Sequence, residues 1–354
     1  MDHSLLDTGR KQARTLEEVG RLAGVSRNTV SLALSNDPRV RPETRERILR
    51  VVRETGYHRN SAAAALAGGL TRILAVVEFG SPAYLSDRAY FGYLAGIEEA
   101  TSINRFDLLL LSARREPGPK WLTELARARR FDGLVLLGAD TDRVAVAALL
   151  VAQVPVVHVG RRVIGQYDLP YVTPGYHSAG KLGAKRLLDR GAHRIIYYVA
   201  GVKQPESRAD LFGGIEAAVA EERARGGEIA CVSLDVYEIE ELGEKLVVEA
   251  GIGIFAHGTK LGMAVWHLLQ RCGQDVPLTI YDDEGWLEEA LPQVDWIRPR
   301  QRLMGYQAAL LALALIQGQS LSERHLVIAP EISWRDEADA DDDATSPCST
   351  TKRR

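Results

Sequence analysis

Residues 24–36 read GVSRNTVSLALSN, and residues 37–47 continue at once as DPRVRPETRER. On a helix beginning at Ser26, the side chains of Val30, Ala33 and Leu34 fall on one face and those of Arg27, Asn28 and Ser31 on the other. The apolar face can pack. The opposite face carries donors and acceptors suited to base edges, where a plain solvent face would mix lysine with glutamate. Upstream, Thr15 and Glu18 make a capping box ahead of Leu16, Val19, Leu22 and Ala23. Gly24 closes that helix and Ser26 caps the next. A third helix starts at Pro42, turns Ile48, Leu49 and Val52 inward and stops at Gly56. Two helices joined by a tight glycine turn, polar residues near the start of the second and an arginine-rich flank form the pattern that sets a helix into a DNA major groove.

Charge supports this reading. Residues 1–60 hold eleven Arg and one Lys against eight Asp and Glu, a net of +4 in a chain whose total is −3. The N-terminal segment is therefore the part suited to meet an anion. Much of the opposing charge lies in residues 335–354, RDEADADDDATSPCSTTKRR, a composition that cannot form a core and is expected to be disordered. The 46% of apolar residues is enough for more than one core. The longest apolar runs, such as AALLALALI at 308–316, fall well short of the roughly 20 residues a membrane helix requires. With no signal-peptide core at the N-terminus, a cytoplasmic protein, held at the nucleoid when bound to DNA, is expected. Cys231, Cys272 and Cys348 are scattered and show neither metal-ligand nor disulfide spacing.

From Arg72 the pattern changes. Apolar runs at 73–79, 107–113, 133–138 and 154–160, and again at 194–201, 229–234, 251–258 and 277–283, alternate with helical stretches. Each series implies a parallel sheet covered on both faces, and two series imply two doubly wound lobes with a ligand crevice at the carboxyl ends of their strands. Between the N-terminal helices and this core lies HRNSAAAALAGG, residues 58–69, an alanine-rich segment of about two turns that needs a partner to stay helical. The expected organisation is thus a headpiece at 1–57, a hinge at 58–71, a two-lobed core at 72–335 and an acidic tail at 336–354.

The span from Thr15 to Gly68 resembles, without gaps, the DNA-binding headpiece of the lactose-repressor family of bacterial transcription regulators. The remainder, to about Trp334, is similar to that family's effector-binding core, a relative of periplasmic sugar-binding proteins, with FDGLVLL, VPVV, GAHRI and IYDD as its clearest matches. The resemblance implies that Arg27 and Asn28 read bases, a role their chemistry suits, since Arg pairs with guanine and Asn with adenine. It implies that Thr15, Ser26, Thr29, Ser31, Ser35, Asn36, Arg39, Arg41 and Tyr57 meet the DNA backbone. Leu32, where the family usually has a polar residue, is expected to be exposed and to offer only an apolar contact to a thymine methyl. Asn60, Ala63 and Leu66 match a hinge helix whose paired leucines wedge into the minor groove of operator DNA, and Arg59 replaces the usual proline before it. Double-stranded operator DNA and a second copy of the chain are the implied macromolecular partners. The tail lacks the leucine heptads of the family's tetramers, which favours a homodimer.

The crevice departs further from the family. Gly160 and Arg161 stand where an aspartate-arginine pair is usual, Leu211 where an arginine precedes a helix glycine, and His257 and Gly258 where an amide and an acid are usual. Tyr84, Tyr90, Arg161, His257 and Asp282 are left as the candidate effector residues. A free sugar would leave hydroxyls unpaired there, at about 1 to 3 kcal/mol each. The expected function is a repressor answering to an unidentified small molecule, a sugar or sugar derivative among the options. The alternatives are a regulator with a degenerate crevice governed by a protein partner or by none, and a solute-binding protein, which would call for a secretion signal and no reading helix. No nucleophile elbow, phosphate loop or zinc spacing is present, so neither enzyme chemistry nor a cofactor or metal is expected.

Overall fold

A computed structural model describes residues 15–34, 37–57, 69–78, 88–112, 120–138, 142–162, 164–200, 205–237 and 239–334. The expectations for Ser35, Asn36, Arg59, Asn60, Ala63, Leu66, Tyr84 and the acidic tail lie outside the described residues. The chain divides between Thr71 and Arg72 into two compact units.

The first unit is three helices, α1 (Leu16–Ala23), α2 (Arg27–Leu34) and α3 (Pro42–Thr55). Thr15 caps α1 by accepting the Glu18 N–H at 3.2 Å, and Gly24 ends it at φ 65°. A Cβ on Gly20 would lie 2.8 Å from the Val25 carbonyl oxygen, so the tight turn depends on the missing side chain. Ser26 then accepts the Thr29 N–H at 3.1 Å and starts α2. Val19, Ala23, Val30, Ala33, Val40, Ile48 and Tyr57 form the core. Two apolar residues depart from expectation. Leu22 is 45% exposed, because the helical period brings Gly20 rather than Leu22 onto the stripe with Leu16, Val19 and Ala23. Leu32, expected on the outer face, is half-buried and packs on this core.

The second unit holds two six-stranded sheets. The first contains β1 (Ile73–Glu78), β2 (Asp107–Ser112), β3 (Gly133–Leu137), β4 (Val156–Val159), β5 (Tyr171–Pro174) and β11 (His325–Ile328) in the order β11-β5-β4-β3-β1-β2. The second contains β6 (Arg194–Ala200), β7 (Ala230–Val236), β8 (Ile252–His257), β9 (Leu278–Tyr281), β10 (Asp295–Arg298) and β12 (Glu331–Ser333) in the order β12-β10-β9-β8-β6-β7. All neighbours are parallel except the β10–β12 pair. Such sheets need helices on both faces, and the central strands accordingly read as unbroken apolar runs. The chain passes between lobes where β5 leads to the helix Tyr176–Asp189, where β10 leads to the helix Gln301–Ile316, and where β11 leads to β12. All three passages leave the carboxyl ends of strands, so those ends and the following helix starts border the space between the lobes.

Each lobe fastens one helix pair by close backbone approach. A Cβ on Gly96 would lie 1.9 Å from the Arg302 carbonyl oxygen, which joins the helix Arg88–Ile103 to the helix Gln301–Ile316. In the other lobe a Cβ on Gly180 would lie 1.9 Å from the Leu211 carbonyl oxygen, joining the helix Tyr176–Asp189 to the helix Pro205–Ala224. Glycine at these crossings lets the axes approach more closely than any side chain would allow.

Candidate nucleic-acid interface and inter-lobe crevice

Helix α2 buries Val30 and Ala33 and leaves Arg27 and Asn28 exposed beside its first turn, with Thr29 and Ser31 half-buried at their flanks. Arg27 is held at 3.5 Å by Glu17 of α1, and both side chains stay about two-thirds exposed (64% and 67%). Beyond α2, Asp37 grips Arg39: its carboxylate accepts the Arg39 Nε at 2.9 Å, an Nη at 2.8 Å and the backbone N–H at 2.9 Å. The side-chain bond from Arg39 holds the Asp37 carboxyl down at about 2. Arg45 donates to the Asp37 carbonyl, which fixes this turn against α3. Arg41 is exposed just before Pro42. Tyr57, by contrast, is a core residue, and the ring expected to face the DNA backbone is buried.

In the second unit Arg161, following β4, forms an ion pair at 3.0 Å with Asp210 of the opposite lobe. His257, at the end of β8, meets the Tyr197 hydroxyl at 2.5 Å and stands edge-on to Tyr281 with ring centroids 5.3 Å apart. Burial, aided by the nearby Arg208, lowers its pKa to about 4, so the ring is neutral at pH 7. Arg208 bonds the Asp235 carboxylate and, at 3.1 Å, the Ser233 hydroxyl. Tyr197 stacks on Phe212 and Tyr176 leans on Tyr281, with centroids 5.7 Å apart in each pair. These groups pair charge with charge; Tyr197 and Tyr281 are buried in the core of this lobe, and Tyr176 and Phe212 are half-buried against them.

Two expected crevice residues are placed elsewhere. Tyr90 is buried in the core of the first lobe beside Leu74 and Val76, because its helix needs an apolar anchor at its first turn. Asp282 is fully buried, and its two oxygens accept the Thr259 hydroxyl at 2.7 Å and the Gly285 and Leu287 N–H groups at 2.9 and 3.1 Å. It ties a loop to a helix start and is closed to a ligand by its burial; the neighbouring Asp283 is also engaged, its Oδ1 accepting the Thr259 N–H at 2.9 Å, and burial raises its pKa to about 6.

The model of the bacterial regulatory proteins of the lacI family matches residues 15–60, and that of the periplasmic binding protein-like domain matches residues 184–336. The chain carries the DNA-binding domain of the lacI, or lactose-repressor, family ahead of a periplasmic binding protein-like domain. Among relatives, the HTH-type transcriptional regulator CelR of Thermobifida fusca is 28% identical over 92% of this chain and 99% of its own. The regulator DegA of Bacillus subtilis is 26% identical over 95% and 99%. A solved complex of the transcriptional regulator CelR with cellobiose is 26% identical, covers 91% of this chain and 99% of that one, and superposes with a TM-score of 0.63. The lac repressor bound to ONPG, 20% identical over 92% and 99%, shares the fold with a TM-score of 0.69.

Against the family's spacing, the charged residues that sequence reasoning missed are Arg208, Asp210 and Asp235. Arg208 lies one helical turn before Leu211, the position at which the family's arginine was sought, so a search at fixed spacing passes over it. The local signal was the Arg-x-Asp at the start of a helix that follows a strand end.

Proposed function

We propose that this regulator is a repressor that binds a near-palindromic operator as a homodimer and answers to a small neutral saccharide held between its lobes. One observation carries the DNA-binding part: α2 buries Val30 and Ala33 and offers Arg27 and Asn28 outward next to a basic turn. Thr15, Ser26, Thr29, Ser31 and Arg41 serve as backbone anchors around them, with residues 1–57 as headpiece, 58–71 as hinge and 72–335 as core. An eight-residue helix reads only a few base pairs, so specificity calls for two copies and an inverted repeat. The effector reading rests on the paired Arg161–Asp210 and Arg208–Asp235 charges and on the half-buried rings of Tyr176 and Phe212 on the same lobe. Paired charges give hydroxyl groups donors and acceptors while adding no net charge. The cellobiose complex of a relative with 26% identity supports the same class. The chain works where the chromosome is, in the cytoplasm.

Selection of bound fragments from random duplex DNA, followed by titration of the best site with salt, tests the proposal. An inverted repeat and a steep negative slope of log affinity against log salt are expected. A direct repeat, no preference, or a flat slope would refute it.

A further inference from the structure

Among the described residues four non-glycine residues have positive φ: Arg72 (59°), Arg105 (59°), Arg129 (50°) and Gln153 (55°). All four sit in the turns that lead into the first four strands of the first sheet, β1, β2, β3 and β4. The corresponding turns into the first four strands of the second sheet hold Gly191, Gly226, Gly251 and Gly273, all with positive φ. Glycine adopts this conformation freely and L side chains do so at a steric cost. The two lobes share a strand order, so the second is an internal control for the first. Helix ends alone do not explain the difference. A cation does suit a helix C-terminus, yet the second lobe closes the same helix ends with glycine.

The charges differ as well. Register sets Ile73 opposite Asp107 and Leu74 opposite Gly133, so Arg72, Arg105 and Arg129 lie side by side at one end of the sheet. Arg127 and Arg130 add to them, and all five are exposed. Arg105, Arg127 and Arg130 have no ion-pair partner among the described residues, whereas at the matching end of the second sheet Arg194 pairs with Glu249, Arg225 with Glu222 and Arg190 with Asp295. The acids at the arginine-rich end are Asp107, Glu124, Asp132 and Asp168; Asp132 accepts the Arg72 N–H at 2.7 Å, and Asp168 is taken up by Arg324 and His325. Arg72 is also the first residue of the second unit, so the covalent path from the headpiece arrives at this end.

We infer that the strand-start end of the first sheet is an accessory phosphate-binding surface through which the core meets the backbone of duplex DNA. The inference rests on the DNA-binding function proposed for the chain. A row of exposed guanidinium groups, with Arg105, Arg127 and Arg130 left without carboxylates, suits a polyanion with regularly spaced charges, and such binding carries no base preference.

The test is salt titration of the full chain on its selected site and on random duplex, for the wild type and for the double variant Arg105→Gly/Arg130→Gln. Arg105→Gly installs the residue the second sheet uses, and melting confirms that the fold is kept. Deleting one phosphate-binding guanidinium should make the slope shallower by about 0.9. Deleting two should reduce the fall in affinity over a fourfold rise in salt by about tenfold on both DNAs, with base preference unchanged. Arg105→Lys should keep the wild-type slope, and Arg127→Glu should lower affinity further. An unchanged slope in the double variant, beside a steep wild-type slope, would overturn the inference alone. A flat wild-type slope would overturn the DNA-binding function with it.

Discussion

Arg27 and Asn28 differ from the other polar residues of the first unit in having the outer face of α2 nearly to themselves. Each substitution to alanine should cost about 1 to 3 kcal/mol on the preferred site and relax base choice at one position per half-site, leaving random DNA almost unaffected. A selected-site profile unchanged by both would show that neither reads bases. Arg39 is different, since Asp37 holds its guanidinium through two bonds. Asp37→Asn frees that cation and removes an anion, so DNA of any sequence should bind more tightly and with a salt slope steeper by up to about 0.9. Weaker binding would mean that Asp37 aims Arg39 at the phosphate instead of withholding it. At this scale the sequence was readable where the determinant was local: Thr15, Gly24, Ser26 and Pro42 act on neighbours three or four residues away. Leu32, Tyr57 and Tyr90 were misplaced because their burial depends on partners remote in the chain, and Asp282 because the distant Thr259 hydroxyl joins two nearby backbone N–H groups on its carboxylate.

Elements were legible in proportion to their burial. The eight strands read from apolar runs are all present, with ends shifted by no more than two residues, because strands covered on both faces must be continuously apolar. The four strands not read, β5, β10, β11 and β12, have three or four residues each and lie toward the sheet edges, where Pro174, Asp295, Arg298 and Glu331 break the apolar signal. Helix crossings were also hidden, since nothing in a single helix marks the glycine that a distant helix touches. Gly180→Ala places a methyl group 1.9 Å from a carbonyl oxygen that cannot retreat without its helix. It should destabilise the second unit by about 3 kcal/mol, the upper end for overpacking. Gly243→Ala, with open space around its Cβ, is the matched control and should stay within about 0.5 kcal/mol. Equal denaturation midpoints for the two variants would refute the close-packed crossing.

At the scale of the whole molecule, the two lobes each hold a histidine toward the carboxyl end of a strand, the fully buried His158 in β4 and the half-buried His257 in β8. Burial depresses their pKa values to about 3 and about 4. A base with a depressed folded-state pKa stays neutral in the fold while the unfolded chain takes up a proton below about 6.5. The stabilisation is therefore complete above pH 6.5 and declines as the pH falls toward 4. Each histidine should contribute a slope of about 1.4 kcal/mol per pH unit in that window. Denaturant unfolding of the core at pH 7 and pH 5 measures this, and equal stabilities would contradict it.

The lobes are also tied across the crevice by the Arg161–Asp210 pair, and Arg208 two residues earlier on the same helix is buttressed by Asp235. An effector placed between these pairs touches both lobes at once, and it can shift the lobe arrangement only by binding one arrangement better than another. Removing either pair should therefore uncouple the core from the headpiece without weakening operator binding in the absence of effector. Arg208→Met keeps the length of the stem and deletes the guanidinium, leaving its former partners Asp235 and Ser233 at the half-exposed rim where water can reach them. In thermal-shift titrations with the class of saccharide proposed above, the wild type should be stabilised, and the apparent affinity should fall at least tenfold for Arg208→Met and Asp210→Asn, about 1.4 kcal/mol or more. Operator release by the same saccharides should disappear in parallel. Variants that bind and respond like the wild type would move the effector away from this crevice and leave its charged pairs as fasteners between the lobes.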